Sequence, residues 1–366
     1  MNCRGLSKKK AELALKVAEA VLGKPLPAAS AGEGGADYVG HNKTASCFYA
    51  SEIAGLAEKE GLNLDSEADR RLLESRIAPL SQTDYLRALV VGLPLIYNYR
   101  STDFGTTRQR DFGQMLGDAM RGALGEIAFA KLWKRTAGRE VYLDARRLSL
   151  EEALESDVLY LQKDGALKET LKISIKTTKF GGVWLDVPYA QVGHSDVFVL
   201  MKLAVPPDHL LRGLTSIEKV REGLLDAASG YADDPEPFYI GLADAVQLFA
   251  QRVRSYTYLP PLAYFSGFVT QKELKTDFNI SGEEIKTTKS RAVIQGGIGR
   301  IPAQEHGRAE LLREAVCGAE PAICGQELPL EFEGIGSFSR AEHYIAHTRR
   351  LNKDLRALAK IVEAAP

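Results

Sequence analysis

Neither sign of charge is in excess in this 366-residue chain: 47 Lys and Arg stand against 48 Asp and Glu, a formal net charge of −1. That balance excludes the basic coat with which a protein condenses on nucleic acid at any site, so nucleic-acid contacts must come from local clusters. Cysteine is scarce. Cys3, Cys47, Cys317 and Cys324 are too few and too scattered for a disulfide framework, which predicts reduced thiols. No run of about 18 apolar residues occurs, so no membrane-spanning helix is expected. The first residues run into Lys8, Lys9 and Lys10 with no apolar stretch resembling a secretory signal, and a soluble, cytoplasmic protein is the expectation. No G-K-S/T follows the glycines at 296, 297 and 299, which excludes a Walker-type NTPase. No G-x-S-x-G elbow is present to anchor an acyl-transfer triad. Internal repeats and low-complexity tracts are absent as well.

What is present is ordinary globular composition, 45% hydrophobic and 26% charged, which rules out wholesale disorder and fibrous architectures. At roughly 150 residues per domain, the length admits two domains or one core with sizeable additions. Residues 8–22 carry an amphipathic helical pattern, and the Gly-, Ala-, Pro- and Ser-rich stretch 23–46 reads as a linker. Helical patterns resume over 50–62 and 66–92, the second opening on Asp65-Ser66-Glu67 as cap residues. Between Gln114 and Trp133, Leu116, Met120, Leu124 and Ile127 recur at three- and four-residue intervals, which predicts a helix. Short strand-like runs follow at 141–144, 157–161, 171–178, 183–187 and 196–205. Beyond them, helical stretches (216–228, 240–254, 339–363) mix with strands expected at 263–269 and 284–294. A helix followed by a cluster of strands predicts an α/β fold with a central mixed sheet. The chain divides into a helical N-terminal region (1–113), a core (114–205) and a mixed α/β C-terminal region (206–366) suited to target recognition or dimerisation.

Within the predicted helix, Glu126 has Gly122, Ala123, Phe129 and Ala130 one turn away. Its carboxylate therefore faces packing and needs a cation, a metal or a proton as partner. Taken alone, it also fits a partly exposed carboxylate at the edge of the apolar stripe. Asp157 opens the run 157–161, and alternation along 171–178 sends Ile173 and Ile175 to one face and Ser174, Lys176 and Thr178 to the other. A hairpin around 163–170 would set Asp157 close to opposite Lys176, as a cross-strand ion pair or as part of a site. A helical Glu, a strand Asp and a strand Lys in this order suit phosphodiester hydrolysis. Two carboxylates bind a hard divalent cation, usually magnesium, and a lysine beside it serves a water and the transition state.

Leu124-Gly125-Glu126-Ile127-Ala128-Phe129, Ser156-Asp157 and Ile173-Ser174-Ile175-Lys176-Thr177-Thr178 together resemble the PD-(D/E)xK nuclease superfamily in its restriction-endonuclease branch. The resemblance covers about residues 115–205, roughly a quarter of the chain. It implies a restriction-endonuclease-like core, a central mixed β-sheet flanked by helices, with the N-terminal and C-terminal regions as additions. It implies that Glu126 and Asp157 hold Mg2+ and that Lys176 serves the attacking water. Two positions depart from the family pattern. Ser156 replaces a proline that only shapes the strand entry. Ser174 replaces an acid that is normally a metal ligand; Glu126 is the candidate to supply that acid, with Asp186 in reserve. The activity implied is that of a Mg2+-dependent, sequence-specific double-stranded DNA endonuclease of type II restriction type. A homodimer would match a symmetric target. Two alternatives stand beside it: a structure-specific repair or mobile-element nuclease, and a non-cleaving DNA-binding protein on a nuclease-like fold.

The polar, aromatic and basic segment 97–113 directly precedes the helix that bears Glu126. Its Arg100, Arg108 and Arg110 are candidates for phosphate or guanine contacts, and a solvated loop balanced by Asp103 and Asp111 is the alternative. Gln191 is the candidate polar side chain after the strand at 183–187, with a purely structural role as its alternative. A second basic segment, 286–300, carries Lys286, Lys289, Arg291 and Arg300 without an acid. Cys317 and Cys324 precede His343 and His347, spaced i, i+4 on an expected helix, an order that allows structural zinc. The spacings exceed those of the usual finger, and reduced thiols beside ordinary helix histidines are the commoner outcome.

Overall fold

The computed structural model describes residues 3, 5–26, 38–39, 43–96, 111–146, 156–163, 166–232, 241–288, 290–303, 305–324, 328–335 and 342–364. Helix α1 (Lys8–Leu22) begins at Ser7, whose hydroxyl accepts from the Lys10 N–H, and stops at Gly23 in the left-handed region. A two-residue-strand hairpin, β1 (Tyr38–Val39) and β2 (Lys43–Thr44), leads into α2 (Ala45–Glu60). That helix starts earlier than its pattern predicts because the Thr44 side chain caps the Cys47 N–H. Where the pattern over 66–92 predicts one helix, the chain forms α3 (Glu67–Arg76), strand β3 (Ile77–Pro79) and α4 (Gln82–Ile96). Pro79 cannot continue a helix, and β3 pairs with residues 262–264, a partner no local pattern reveals.

Helix α5 (Phe112–Ala137) is capped by Asp111 at its start and ended by Gly138. After it come β4 (Val141–Leu143), β5 (Val158–Lys163), β6 (Ala166–Glu169), β7 (Ile173–Lys179), β8 (Trp184–Pro188), the single turn α6 (Tyr189–Val192) and β9 (Val197–Ala204). The C-terminal region adds α7 (His209–Thr215), α8 (Glu218–Ala232), α9 (Leu242–Ser255), β10 (Leu262–Thr270) and α10 (Gln271–Leu274). It closes with β11 (Ile285–Thr287), β12 (Ala292–Ile294), β13 (Ile298–Ile301), α11 (Glu305–Ala319), β14 (Leu330–Phe332), β15 (His343–His347) and α12 (Leu355–Ala364). The helix expected over 339–363 is thus a strand followed by a shorter helix. Every residue of β15 is buried between β13 and β8, so no helical period survives in its composition.

The central sheet is mixed, in the order β3-β10-β9-β7, with β7 parallel to β9 and the other neighbours antiparallel. Its strands come from all three sequence regions, so the sheet is not confined to 114–205. Val197, Val199, Met201 and Leu203 of β9 pack with Ile173 and Ile175 against Leu124, Ala128 and Phe129 of α5. On the other face, Phe198 and Leu200 meet Leu185 and Val187, while Ala204, Leu262 and Tyr264 take α1 and α2. The result is a mixed α/β molecule with its central sheet covered on both faces. Among the described residues no helix is long and apolar enough to cross a membrane.

Candidate active site

The hairpin expected around 163–170 does not bring Asp157 to Lys176. Strand β6 occupies that interval and folds back on β5, pairing Tyr160 with Glu169, while β7 runs parallel to β9 with Lys176 beside Leu200. Asp157 instead sits just before β5, where its N–H donates to the Ile173 carbonyl at 2.9 Å. Its carboxylate accepts from the Ile175 N–H and is hydrogen-bonded by Ser174. Ser174 thus helps to orient the Asp157 carboxylate.

Glu126 arrives from α5. The helix lies so close to β7 that a Cβ at Gly125 would stand 2.0 Å from Thr177 Oγ1 and 3.1 Å from Thr177 Cβ. Glycine there lets the next residue's carboxylate approach the strand. We expect Gly125→Ala to cost about 1–3 kcal/mol, as overpacking does, and Gly125→Ala with Thr177→Ala to recover most of it. Denaturant melts of the two single variants and the double decide this, and strict additivity would remove the contact from the explanation.

Three ionisable groups here lie within electrostatic reach of one another, each of them half-buried. Burial pushes the Glu126 carboxyl up to about 8, the Asp157 charge adds to the shift, Lys176 opposes it and Asp144 reinforces it. Asp157 is raised by burial, against the pull of Lys176 and its hydrogen-bond donors. Burial lowers Lys176, while Asp157, Glu126 and Asp186 act to hold its proton. Its ammonium donates to Gln191 Oε1 at 2.6 Å, so the side chain singled out after β8 reaches the lysine. Asp186, on β8, accepts from or donates to nothing on the lysine itself; its Oδ1 lies 2.7 Å from His343 Nδ1.

Comparison with known families, with curated proteins and with solved structures finds no match to this chain. The site therefore has to be judged on its own chemistry.

One neighbour, Asp144, escaped the sequence reading, and another, His343, was placed on the wrong kind of element. Asp144 follows β4, and its N–H donates to the Asp157 carbonyl at 3.1 Å. Its buried carboxylate is gripped by Arg146 at 3.0 and 2.8 Å, yet its charge is felt by both Glu126 and Asp157. The only signal in the sequence was an acid at a strand exit; the pairing of Leu143 with Val158 is what sets it beside the site. His343 was assigned to a helix and lies on β15.

The zinc candidates do not assemble. Cys317 and Cys324 are bonded to each other, His343 partners Asp186, and His347 lies 3.5 Å from Glu333. Cys3 and Cys47 form a second disulfide, correcting the expectation of reduced thiols. Forty-four residues separate that pair in sequence, and only the packing of the chain start on α2 brings the Cα atoms to 5.3 Å. Arg100, Arg108 and Arg110 lie outside the described residues. In the second basic segment, Arg291 is paired with Glu331 and Arg300 with Glu342, so acids from later strands counter two of its charges.

Divalent magnesium fits the donor set by its chemistry. Neither Glu126 nor Asp157 forms an ion pair among the described residues, and two under-compensated carboxylates that feel each other's charge offer the hard oxygens such an ion prefers. Asp144, already held by Arg146, is outside that set.

Glu126 makes a pH prediction. Its folded-state proton affinity is raised, so its stabilising contribution is present below the ordinary value of 4.5 and is lost as pH rises towards about 8. Metal-free protein should therefore melt at falling temperatures across that window, and Glu126→Gln should flatten the slope. Added Mg2+ should raise the wild-type melting temperature more at pH 8 than at pH 6, because at the lower pH it competes with a proton. An equal Mg2+ effect in wild type and Glu126→Gln would show that the ion binds elsewhere.

Proposed function

We propose that the protein is a Mg2+-dependent endonuclease acting on double-stranded DNA, with a PD-(D/E)xK-like site of the restriction type. The observation that carries the reading is that Glu126, Asp157 and Lys176, from a helix, a strand entry and a strand, lie within reach of one another's charge. Glu126 and Asp157 would hold the metal, and Ser174 keeps the Asp157 carboxylate in place. A bound Mg2+ would supply Lewis acidity and charge neutralisation toward the scissile phosphate.

The protein's own groups do the rest. Burial weakens the hold of Lys176 on its own proton relative to a surface lysine. As the ammonium its Nζ can orient an attacking water, and once that proton has left to solvent the neutral amine can accept the water's proton. Gln191 fixes the direction of that Nζ by accepting one of its hydrogens, leaving the others for water or phosphate. The close helix–strand approach at Gly125 lets α5 bring the Glu126 carboxylate up to β7. A homodimer on a symmetric target and a restriction role belong to the same proposal.

Incubation of supercoiled plasmid with the protein, with Mg2+ and with chelator, tests the reading. Discrete Mg2+-dependent fragments support the sequence-specific form. Cutting confined to branched, gapped or single-stranded substrates supports a structure-specific nuclease instead. Binding without cleavage would leave a DNA-binding protein on a nuclease-like fold.

A further inference from the structure

Next to the element whose Gln191 holds Lys176, three adjacent strands set three residues in a row. In the sheet β13-β15-β8, Arg300 of β13 is directly opposite Tyr344 of β15, which is opposite Val187 of β8. Two residues after Val187 comes Tyr189, the first residue of α6, and its ring lies nearly parallel to that of Tyr344, 19° between planes and 6.4 Å between centroids. Adjacent strands are about 4.8 Å apart, so the row spans on the order of 10 Å, the footprint of one nucleotide.

Tyr189 is 61% exposed, although it is a large aromatic residue, and Tyr344 beneath it is buried. The Tyr189 backbone is tied to the strand: its N–H donates to the Glu342 carbonyl at 3.1 Å, and the Glu342 carboxylate accepts from Arg300 at 2.7 and 3.0 Å. The same turn of helix carries Gln191, which grips Lys176. One short element thus links an outward-facing aromatic ring to the candidate catalytic lysine.

We propose that Tyr189, backed by Tyr344 and edged by Arg300, is a stacking platform for an unstacked nucleobase next to the phosphate engaged at Lys176. This subsite rests on the nuclease reading and narrows it. The substrate would present a base flipped from the duplex or lying at a single-stranded end or gap. A planar ring with one open face recognises any base through its π-surface, without a hydrogen-bond code. Arg300 is already countered by Glu342, so the subsite recognises the flat face of its ligand and adds little to phosphate attraction.

The test uses the full-length protein carrying Lys176→Ala, so that DNA persists in the presence of Mg2+. Single-stranded and gapped oligonucleotides containing 2-aminopurine report stacking through quenching of its fluorescence. The expected result is quenching on binding, affinity about tenfold weaker after Tyr189→Ala, and affinity retained by Tyr189→Trp. The exposed ring can be removed without opening the core. If Tyr189→Ala changes neither affinity nor fluorescence while the protein with native Lys176 cleaves DNA, the platform is overturned and the nuclease reading stands. Quenching that depends on Tyr189 in a protein that never cleaves DNA supports the platform and overturns the nuclease. Failure to bind any oligonucleotide overturns both.

Discussion

Replacing Lys176 with alanine is expected to lower Mg2+-dependent cleavage about a thousandfold, the middle of the range for a positioned proton-transfer group, while DNA binding persists. Lys176→Arg separates two roles that alanine cannot. Arginine keeps the positive charge but does not give up its proton at any working pH. If Lys176 acts only as a charge beside the phosphate, arginine should restore much of the rate. If it accepts a proton from water, arginine should stay near the alanine level, and that is the outcome expected from a lysine whose burial lowers its hold on its own proton. Full activity of Lys176→Ala, measured on plasmid under single-turnover conditions, would remove the lysine from the mechanism.

Glu60→Ala should be the most damaging single change to stability. Glu60, the last residue of α2, is wholly buried and bonds Lys202 of β9 at 2.6 Å, Lys353 at 2.7 Å and Ser266 of β10 at 2.9 Å. Burial alone would lift its carboxyl, but the two lysines outweigh this and hold it below its ordinary value. Removing the glutamate leaves Lys202, itself without exposure, as an unpaired charge inside the sheet. Breaking a buried pair from one side costs roughly 3–5 kcal/mol. Lys202→Met should be far milder, because Glu60 keeps Lys353 and Ser266 and the methionine fits an apolar strand. Denaturant unfolding of both variants checks the asymmetry. A loss below about 1 kcal/mol in Glu60→Ala would mean that the charges are relieved by water.

The cluster around Glu60 also marks where sequence reading stops. Residues 196–205 read as an apolar core strand, and β9 is one, yet Lys202 in its middle finds its partner, Glu60, 142 residues upstream, and Glu60 in turn bonds Lys353 beyond β15. Nothing local announces such a pair. Helix α5 was legible because its apolar residues recur with the helical period and its ends carry Asp111 and Gly138. Strand β15 was not, because a strand buried on both faces shows no alternation. The split of 66–92 failed for a related reason: β3 exists through its pairing with β10, and three residues hold too little local preference to declare a strand.

The candidate site divides the same way. By itself the sequence determined the residue types, their order and their elements: a glutamate among small residues on a helix, an aspartate at a strand entry and a lysine on the polar side of an alternating strand. These follow from periodicity, which depends only on backbone geometry. Tertiary structure alone decided that the intervening hairpin closes on β6, that Ser174 serves Asp157, that Asp144 stands behind the carboxylates, and that Cys317 and Cys324 bind each other. The contacts around Asp157 join residues separated by a dozen or more positions, and even the short Cys317–Cys324 loop is closed by the local fold, which no periodic pattern encodes.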